Sequence, residues 1–355
     1  MTCTSGSLRG FNCEVDSISS GNFFVPLLIG AVDDIMISIK ILINEYTEMW
    51  KIMLFEYNYC KRFLVDKYDI EINKCLITND NTSLGSYLAG LFEGDGHIIL
   101  YRGNNQSKKK ITKIRKVIIG ITFNIKDLPL CEYLKSKLGY GWIRIKDKEN
   151  ACVLLFHTDK GLIAFISKIN GYLRSPKIYK FNKAIDYLNC KYSLNIIKYK
   201  EDVSDISKNN WLAGFIDADG GFYIRYSDTV KFRIACSLRL EQRMIEPTSK
   251  LSYKPLFLNI SEFLKAKLEI STHNNKSYFL IRASNRNSLK IILNYFNLFN
   301  MYSSKYLDYQ NWAIAARALL AKTAYKSENR KYIYLLKISM NSKRTYFNWD
   351  HLINL

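Results

Sequence analysis

One ten-residue segment occurs twice, and that repetition constrains the chain more than anything else in it. Tyr87-Leu-Ala-Gly-Leu-Phe-Glu-Gly-Asp-Gly96 returns 124 residues later as Trp211-Leu-Ala-Gly-Phe-Ile-Asp-Ala-Asp-Gly220. The residues downstream of each copy are also alike. A strand-like run (97–101 and 222–226) leads through a turn to a second run (116–125 and 231–240). Then come an apolar helical stretch (128–138 and 256–268), a second hairpin (142–157 and 268–284) and another helical stretch (161–169 and 288–296). The pattern closes on Arg174-Ser-Pro-Lys177 and on Tyr302-Ser-Ser-Lys305, at an offset of 128. Two landmarks at nearly one offset mark a tandem duplication of a unit of roughly 110 residues, read as α-ββ-α-ββ-α-α. The expected organisation is an N-terminal segment at 1–80, a first repeat at 84–195, a second at 209–325 and an extension at 326–355. The stretch 35–55 has helical character, and the polar run 79–82 reads as a linker. The Lys/Tyr-rich tail from Lys322 onward is expected to pack on the second half.

Each copy of the segment begins as an apolar helix and stops at a glycine. Ser86, Gly90 and Gly94 fall at i, i+4 and i+8, as do Asn210, Gly214 and Ala218. That spacing lines small residues along one stripe. Two helices carrying such stripes can approach closer than the usual ~8–10 Å between axes. Glycine costs a helix about 1 kcal/mol against alanine, so Gly90 and Gly214 need a packing reason, and a helix–helix interface supplies one. Each helix ends on a carboxylate, Asp95 or Asp219, at the unfavourable pole of the helix dipole. Packed side by side, the helices bring both acids together, where they repel and favour a shared cation. Hard oxygen ligands in a basic chain suggest Mg²⁺, which in such a position can activate water and stabilise a leaving oxygen of a phosphodiester. A lone Asp-Gly would read as an ordinary turn; two copies on matched helices outweigh that reading. The earlier acids Glu93 and Asp217 read as solvated or capping.

The charge balance points the same way. The 355 residues carry a formal net charge of +20. Residues 1–80 hold 7 basic and 11 acidic side chains, and the remainder holds 45 and 21, so the repeats form a strongly basic body suited to a polyanion. Eight cysteines show no CxxC pairing and no zinc-finger spacing; Cys131 and Cys236 sit in apolar runs and read as buried free thiols in a reducing compartment. No apolar run reaches membrane-spanning length and the polar first 20 residues do not form a signal peptide, so no membrane partner is expected.

The two copies, Leu-Ala-Gly-Leu-Phe-Glu-Gly-Asp-Gly at 88–96 and Leu-Ala-Gly-Phe-Ile-Asp-Ala-Asp-Gly at 212–220, resemble the motif that names the LAGLIDADG homing endonucleases. The second departs from it only at Phe215; the first departs through Glu93 and Gly94, among others, within what the family tolerates. The resemblance covers about 84–325. It implies an α+β fold of two tandem αββαββα repeats, a pseudo-twofold saddle of two antiparallel four-stranded sheets around a central two-helix interface. It makes the acid before the last glycine the metal ligand, here Asp95 and Asp219. It also implies a basic residue near each metal site, which by position resembles Lys177 and Lys305, so the catalytic set is Asp95, Asp219, Lys177 and Lys305. Gly90, Gly94, Gly214 and Ala218 form the helix interface. The segment 21–33, Gly-Asn-Phe-Phe-Val-Pro-Leu-Leu-Ile-Gly-Ala-Val-Asp, resembles a stretch of cytochrome oxidase subunit I. With the abundance of residues whose codons are A/T-rich, it suggests an intron reading frame in a mitochondrial gene.

The strands read as a surface for double-stranded DNA. From Lys231 to Leu240, Phe232, Ile234, Cys236, Leu238 and Leu240 share one face; Lys231, Arg233, Ala235, Ser237 and Arg239 share the other. Tyr223 and Arg225, Ile99 and Tyr101, and Lys116, Thr122 and Asn124 take the corresponding polar-face positions, where β-ribbons can read base edges. Lys108, Lys109 and Lys110 crowd the first hairpin's turn as phosphate contacts. The first face is less basic and more apolar than the second, so an asymmetric target is expected. The chain is expected to be a monomer, being its own pseudo-dimer. An RNA maturase that binds group I intron RNA on the same fold is the alternative, and an architectural DNA binder a third; retained acids at both positions favour cleavage.

Overall fold

A computed structural model describes residues 81–102, 113–228 and 232–353, all within the second of the two units, 1–77 and 78–355, into which the chain divides. The N-terminal segment, with the stretches at 21–33 and 35–55, lies outside the described residues, as do Lys108, Lys109, Lys110 and Lys231.

The first repeat runs α1 (Asn81–Asp95), β1 (Gly96–Arg102), β2 (Ile114–Asn124), α2 (Leu128–Leu138), β3 (Trp142–Lys146), β4 (Ala151–Phe156), α3 (Asp159–Ile169) and α4 (Ile178–Tyr192). The second runs α5 (Trp211–Asp219), β5 (Gly220–Ser227), β6 (Arg233–Arg243), α6 (Lys254–Phe263), β7 (Leu268–His273), β8 (Lys276–Ala283), α7 (Arg286–Leu298) and α8 (Lys305–Leu320). Each set of four strands is an antiparallel sheet, ordered β1-β2-β4-β3 and β5-β6-β8-β7. This is the α+β architecture expected. Local chemistry explains the joints. Asn274 and Asn275, both at positive φ, make the two-residue turn between β7 and β8. Thr158 and Asn285 cap α3 and α7 by accepting the N–H of Gly161 and Ser288. Gly139, at φ 68°, ends α2.

One boundary differs. The run 79–82 is not all linker, because α1 already begins at Asn81. Polar residues such as Asn, Thr and Ser suit a helix's first turn as well as a turn or loop, and composition alone does not separate the two.

The motif helices α1 and α5 are apolar on every side because both are enclosed. Tyr87, Leu88, Ala89, Leu91 and Phe92, and Trp211, Leu212, Ala213, Phe215 and Ile216, are all buried. Their contact is backbone against backbone. A methyl group placed on Gly90 would lie 1.9 Å from the Trp211 carbonyl oxygen, and one on Gly214 would lie 1.9 Å from that of Tyr87. One on Gly94 would meet the Ala218 Cβ at 2.1 Å. At the far end the Ser86 hydroxyl accepts the Asn210 N–H at 3.2 Å. The stripe of small residues is thus the contact line of the two halves.

The tail packs on the second half, as expected. A helix α9 (Ser327–Ile338) and the residues after it line the edge strand β5: Lys337 Nζ donates to the Tyr226 carbonyl and Asn341 Nδ2 to that of Phe222. Cys131, Cys152 and Cys236 are buried free thiols. Among the described residues no helix is long and apolar enough to cross a membrane.

Candidate active site

The seam delivers Asp95 and Asp219 to one place because each is the last residue of its motif helix. The Asp219 carboxylate leans over the first helix, its Oδ2 lying 3.2 Å from where a Gly94 Cβ would be. It accepts a hydrogen bond from Gln242 Nε2 at 2.6 Å. Burial, reinforced by the charge of Asp95, pushes the Asp219 carboxyl up to about 7, against the pull of Lys177, Lys305 and Arg243. Asp95 keeps an accessible face yet is crowded by protein, and desolvation raises it as well, against Lys305 and Lys177.

Lys177 sits at the N-cap of α4 and Lys305 is the first residue of α8, and both reach back to the motif helix of their own half. Lys177 Nζ donates to the carbonyls of Gly94 (2.7 Å), Gly96 (2.8 Å) and Phe92 (3.2 Å). Lys305 Nζ donates to those of Ala218 (2.6 Å) and Ile216 (3.3 Å). Each ammonium therefore sits on the negative pole of a helix that ends in a carboxylate, which offsets the unfavourable placement of that acid. Burial pushes Lys177 down to about 8, although Asp219, Glu93 and Asp95 act to raise it; burial also lowers Lys305. The charges cross the seam: of the two lysines, Lys305 acts more on Asp95, and Lys177 more on Asp219.

Of the two roles expected for the earlier acids, capping holds and solvation does not. Glu93 and Asp217 are not solvated; both are buried. Glu93 accepts the N–H groups of Arg174 and Ser175 and the Trp211 indole N–H at 2.7 Å. Asp217 accepts the N–H groups of Tyr302 and Ser303, the Ser303 hydroxyl and the Tyr87 hydroxyl, the last at 2.7 Å. They cap the turns that lead into α4 and α8. Desolvation is the main influence on both carboxyls and raises them, while these donors pull them down.

The donor set fits a hard divalent cation. Burial raises both carboxyls and the charge of Asp95 adds to the rise at Asp219, which is the situation a shared cation relieves. Among the described residues no three His, Cys, Asp or Glu side chains cluster as metal ligands. Two carboxylates with the remaining positions left to water and phosphate oxygens is the habit of Mg²⁺.

The sheet faces turned away from the helices carry the groups read from the alternation. On the first, Ile99 and Tyr101 pair across strands with Ile118 and Lys116, and Thr122 lies farther along β2. Asn124 ends that strand, its Oδ1 accepting the Lys126 N–H. On the second, Tyr223 and Arg225 pair with Ser237 and Ala235, Arg233 with Ser227, and Arg239 with Gly221 and Arg282; the Arg239 guanidinium lies 5.6 Å from the Tyr223 ring. Basic side chains on the described part of the first face are Lys116, Arg144 and Lys146; on the second they are Arg225, Arg233, Arg239, Arg243, Lys276 and Arg282. Glu241 and Glu269 share the second face and offset part of its basic excess, while the described part of the first face carries no acid and is the more apolar.

Sequence reasoning missed Gln242. Its signal was parity: it is a polar residue on the core-facing side of β6, two residues past Leu240. By strand register the matching position in the first half is Phe123, since Ile121 and Leu240 pair equivalently with Gly96 and Gly220. The two acids therefore have different neighbours. Trp142, 60% exposed at the outer strand of the first sheet, was also missed.

Comparison with known proteins agrees with this arrangement. The chain is 29% identical over 307 residues to intron-encoded DNA endonuclease aI3 of Saccharomyces cerevisiae, covering 76% of this chain and 72% of the relative. It is 27% identical over 190 residues to the RNA maturase bI4 of the same yeast, covering 53% of this chain and 26% of that protein. In fold it resembles the LAGLIDADG homing endonuclease I-GzeII, crystallised with its DNA target, with a TM-score of 0.55 at 19% identity over 74% of this chain and 99% of that one. The sequence profile of the LAGLIDADG endonucleases matches twice, at 88–188 and 212–316, each match beginning at the leucine that opens a motif. This chain belongs to the LAGLIDADG endonuclease family.

Proposed function

We propose that the protein is a site-specific homing endonuclease that hydrolyses one phosphodiester in each strand of a long, asymmetric double-stranded DNA target, with Mg²⁺ held by Asp95 and Asp219. The observation that carries this reading is the pair of carboxylates at the shared end of the two motif helices, between two sheets with polar, basic outer faces. Asp95 and Asp219 would hold the cation, which would supply an activated water and stabilisation of the leaving oxygen. The chain's own residues do the rest. The outer faces of β1–β4 and β5–β8 engage the grooves and backbone, and their different side chains suit unequal half-sites. Asp95 and Asp219, one per half, allow each strand its own carboxylate. Lys177 and Lys305, anchored on the helix-end carbonyls, place positive charge beside the scissile phosphates as negative charge develops there. Intron-encoded relatives, the stretch at 21–33 and the abundance of Lys, Ile, Asn, Tyr and Phe, residues whose codons are A/T-rich, support a mitochondrial home and a role in intron mobility.

The test is cleavage of a supercoiled plasmid carrying the intron-free allele of the host gene. With Mg²⁺ it should be linearised at one locus. EDTA should abolish cleavage, and Asp95→Asn or Asp219→Asn should slow it by about 10²-fold or more. The similarity to a maturase favours one second reading, RNA binding in aid of splicing. Tight binding to the group I intron RNA without DNA cleavage by the wild type would shift the assignment there.

A further inference from the structure

Tyr87 and Trp211 occupy the same place in the two copies of the motif, and Glu93 and Asp217 do likewise. Their hydrogen bonds cross. Tyr87, in the first half, donates to Asp217 in the second; Trp211, in the second, donates to Glu93 in the first. Each carboxylate also accepts two consecutive backbone N–H groups from the turn that launches its own half's lysine: Arg174 and Ser175 before Lys177, Tyr302 and Ser303 before Lys305. A continuous path therefore runs from each motif helix, across the seam, through a buried acid and a turn, to the lysine of the other half.

The surroundings reinforce both paths, unequally. The Tyr87 ring stacks on Tyr302 with centroids 4.0 Å apart, and Asp127 of the first half accepts the Ser304 N–H at 2.7 Å. At an offset of 128, Ser304 corresponds to Pro176, which has no N–H to offer. Glu246, which matches Asp127 by register, instead accepts N–H groups of Thr248 and Ser249 in its own loop. The first lysine turn is braced instead by Arg174, whose guanidinium bonds Ser204 and Asp202 and lies 5.6 Å from the Trp211 ring.

We propose that Tyr87 and Trp211 are positioning residues: each holds, from across the seam, the buried carboxylate that fixes the other half's lysine. Tyr87 thereby sets Lys305, and Trp211 sets Lys177. Because the two paths share no residue, loosening one should disturb one lysine, and hence cleavage of one strand.

The test uses Tyr87→Phe and Trp211→Phe in the full chain, with two readouts. The first is acetylation of the metal-free protein by an amine-reactive ester, read residue by residue from peptide masses. Tyr87→Phe should raise the labelling rate of Lys305 about tenfold and leave Lys177 unchanged; Trp211→Phe should do the reverse, the size expected on losing one outer hydrogen bond. The second readout rests on the nuclease reading: each variant should accumulate nicked circles, with the nick in opposite strands. The proposal is overturned if both lysines become reactive together in either variant, or if neither does. Should the wild type cut no DNA, the nuclease reading fails while the labelling still decides the positioning roles. Should Trp211→Phe not fold, Tyr87→Phe, which removes one oxygen, decides alone.

Discussion

The closeness of the motif helices can be tested by adding one carbon atom. Gly90→Ala and Gly214→Ala each place a methyl 1.9 Å from a carbonyl oxygen of the opposite helix and 2.8 Å from a backbone nitrogen. Carbon and carbonyl oxygen ordinarily meet at ~3.3 Å or beyond, so the helices must part by roughly 1.4 Å. The methyl meets backbone, which cannot swing aside as a side chain would. Such a gap forfeits much of the dispersion contact along the seam. It also stretches the Tyr87–Asp217 and Trp211–Glu93 hydrogen bonds, each 2.7 Å long, beyond bonding range. Overpacking costs about 1–3 kcal/mol and a lost hydrogen bond to a charged group about 1.5–3 kcal/mol. Against this, alanine returns about 1 kcal/mol of helix propensity. With two such bonds lost, the net expectation is a loss of about 3–8 kcal/mol for either variant. The double variant should cost little more than one alone, because helices parted for one methyl already accommodate the other. Equilibrium urea unfolding of the four proteins measures all three differences. A Gly90→Ala protein as stable as wild type, or a double variant whose cost is the sum of the singles, would refute backbone contact as the reason for these glycines.

Two further outcomes concern the charges. Asp219 has its carboxyl raised from 3.8 to about 7 in the fold, so the stability it contributes is complete below about 4 and is lost as pH rises through 7. Metal-free Asp219→Asn should therefore gain on wild type as pH rises from 5 to 8.5, by on the order of 3 kcal/mol; a pH-independent difference in thermal midpoints would contradict this. On the second sheet, Arg225→Ala combined with Arg233→Ala should lower the slope of log affinity against log salt by roughly 2 for target and random duplex alike, measurable by fluorescence anisotropy. An unchanged slope would place the phosphate contacts elsewhere.

How much of this was legible in the chain depended on where each residue's partner lay. The seam was readable because Gly90 and Gly214 break helix propensity at matched positions, and only a close neighbour explains that. The hairpins were readable because alternation and turn residues are local: Asn274 and Asn275 announce their turn without help from the rest of the fold. That Glu93 and Asp217 are buried caps and not solvated ones was hidden because they also bind backbone N–H groups some 80 residues away, in Arg174-Ser175 and Tyr302-Ser303, and a backbone group leaves no mark on the sequence. Lys177 and Lys305 were legible only through the family resemblance, since their partners are helix-end carbonyls. Gln242 was hidden by a different cause. It lies just beyond the run whose alternation defined the strand, and its partner, Asp219, lies 23 residues earlier in the chain.

The pairing of Asp127 with Ser304, set against Pro176 and Glu246, gives the old duplication a direction. A homodimer of two first halves would aim Asp127 at a proline with nothing to donate. One of two second halves would bury the Ser304 N–H with no acceptor, at about 1–3 kcal/mol for each copy. The halves are no longer interchangeable modules. A chimera assembled from this protein and a relative retains this hydrogen bond only if Asp127 travels with the serine it serves, so recombining specificities must respect the contacts of the interface as well as the linker that joins the repeats.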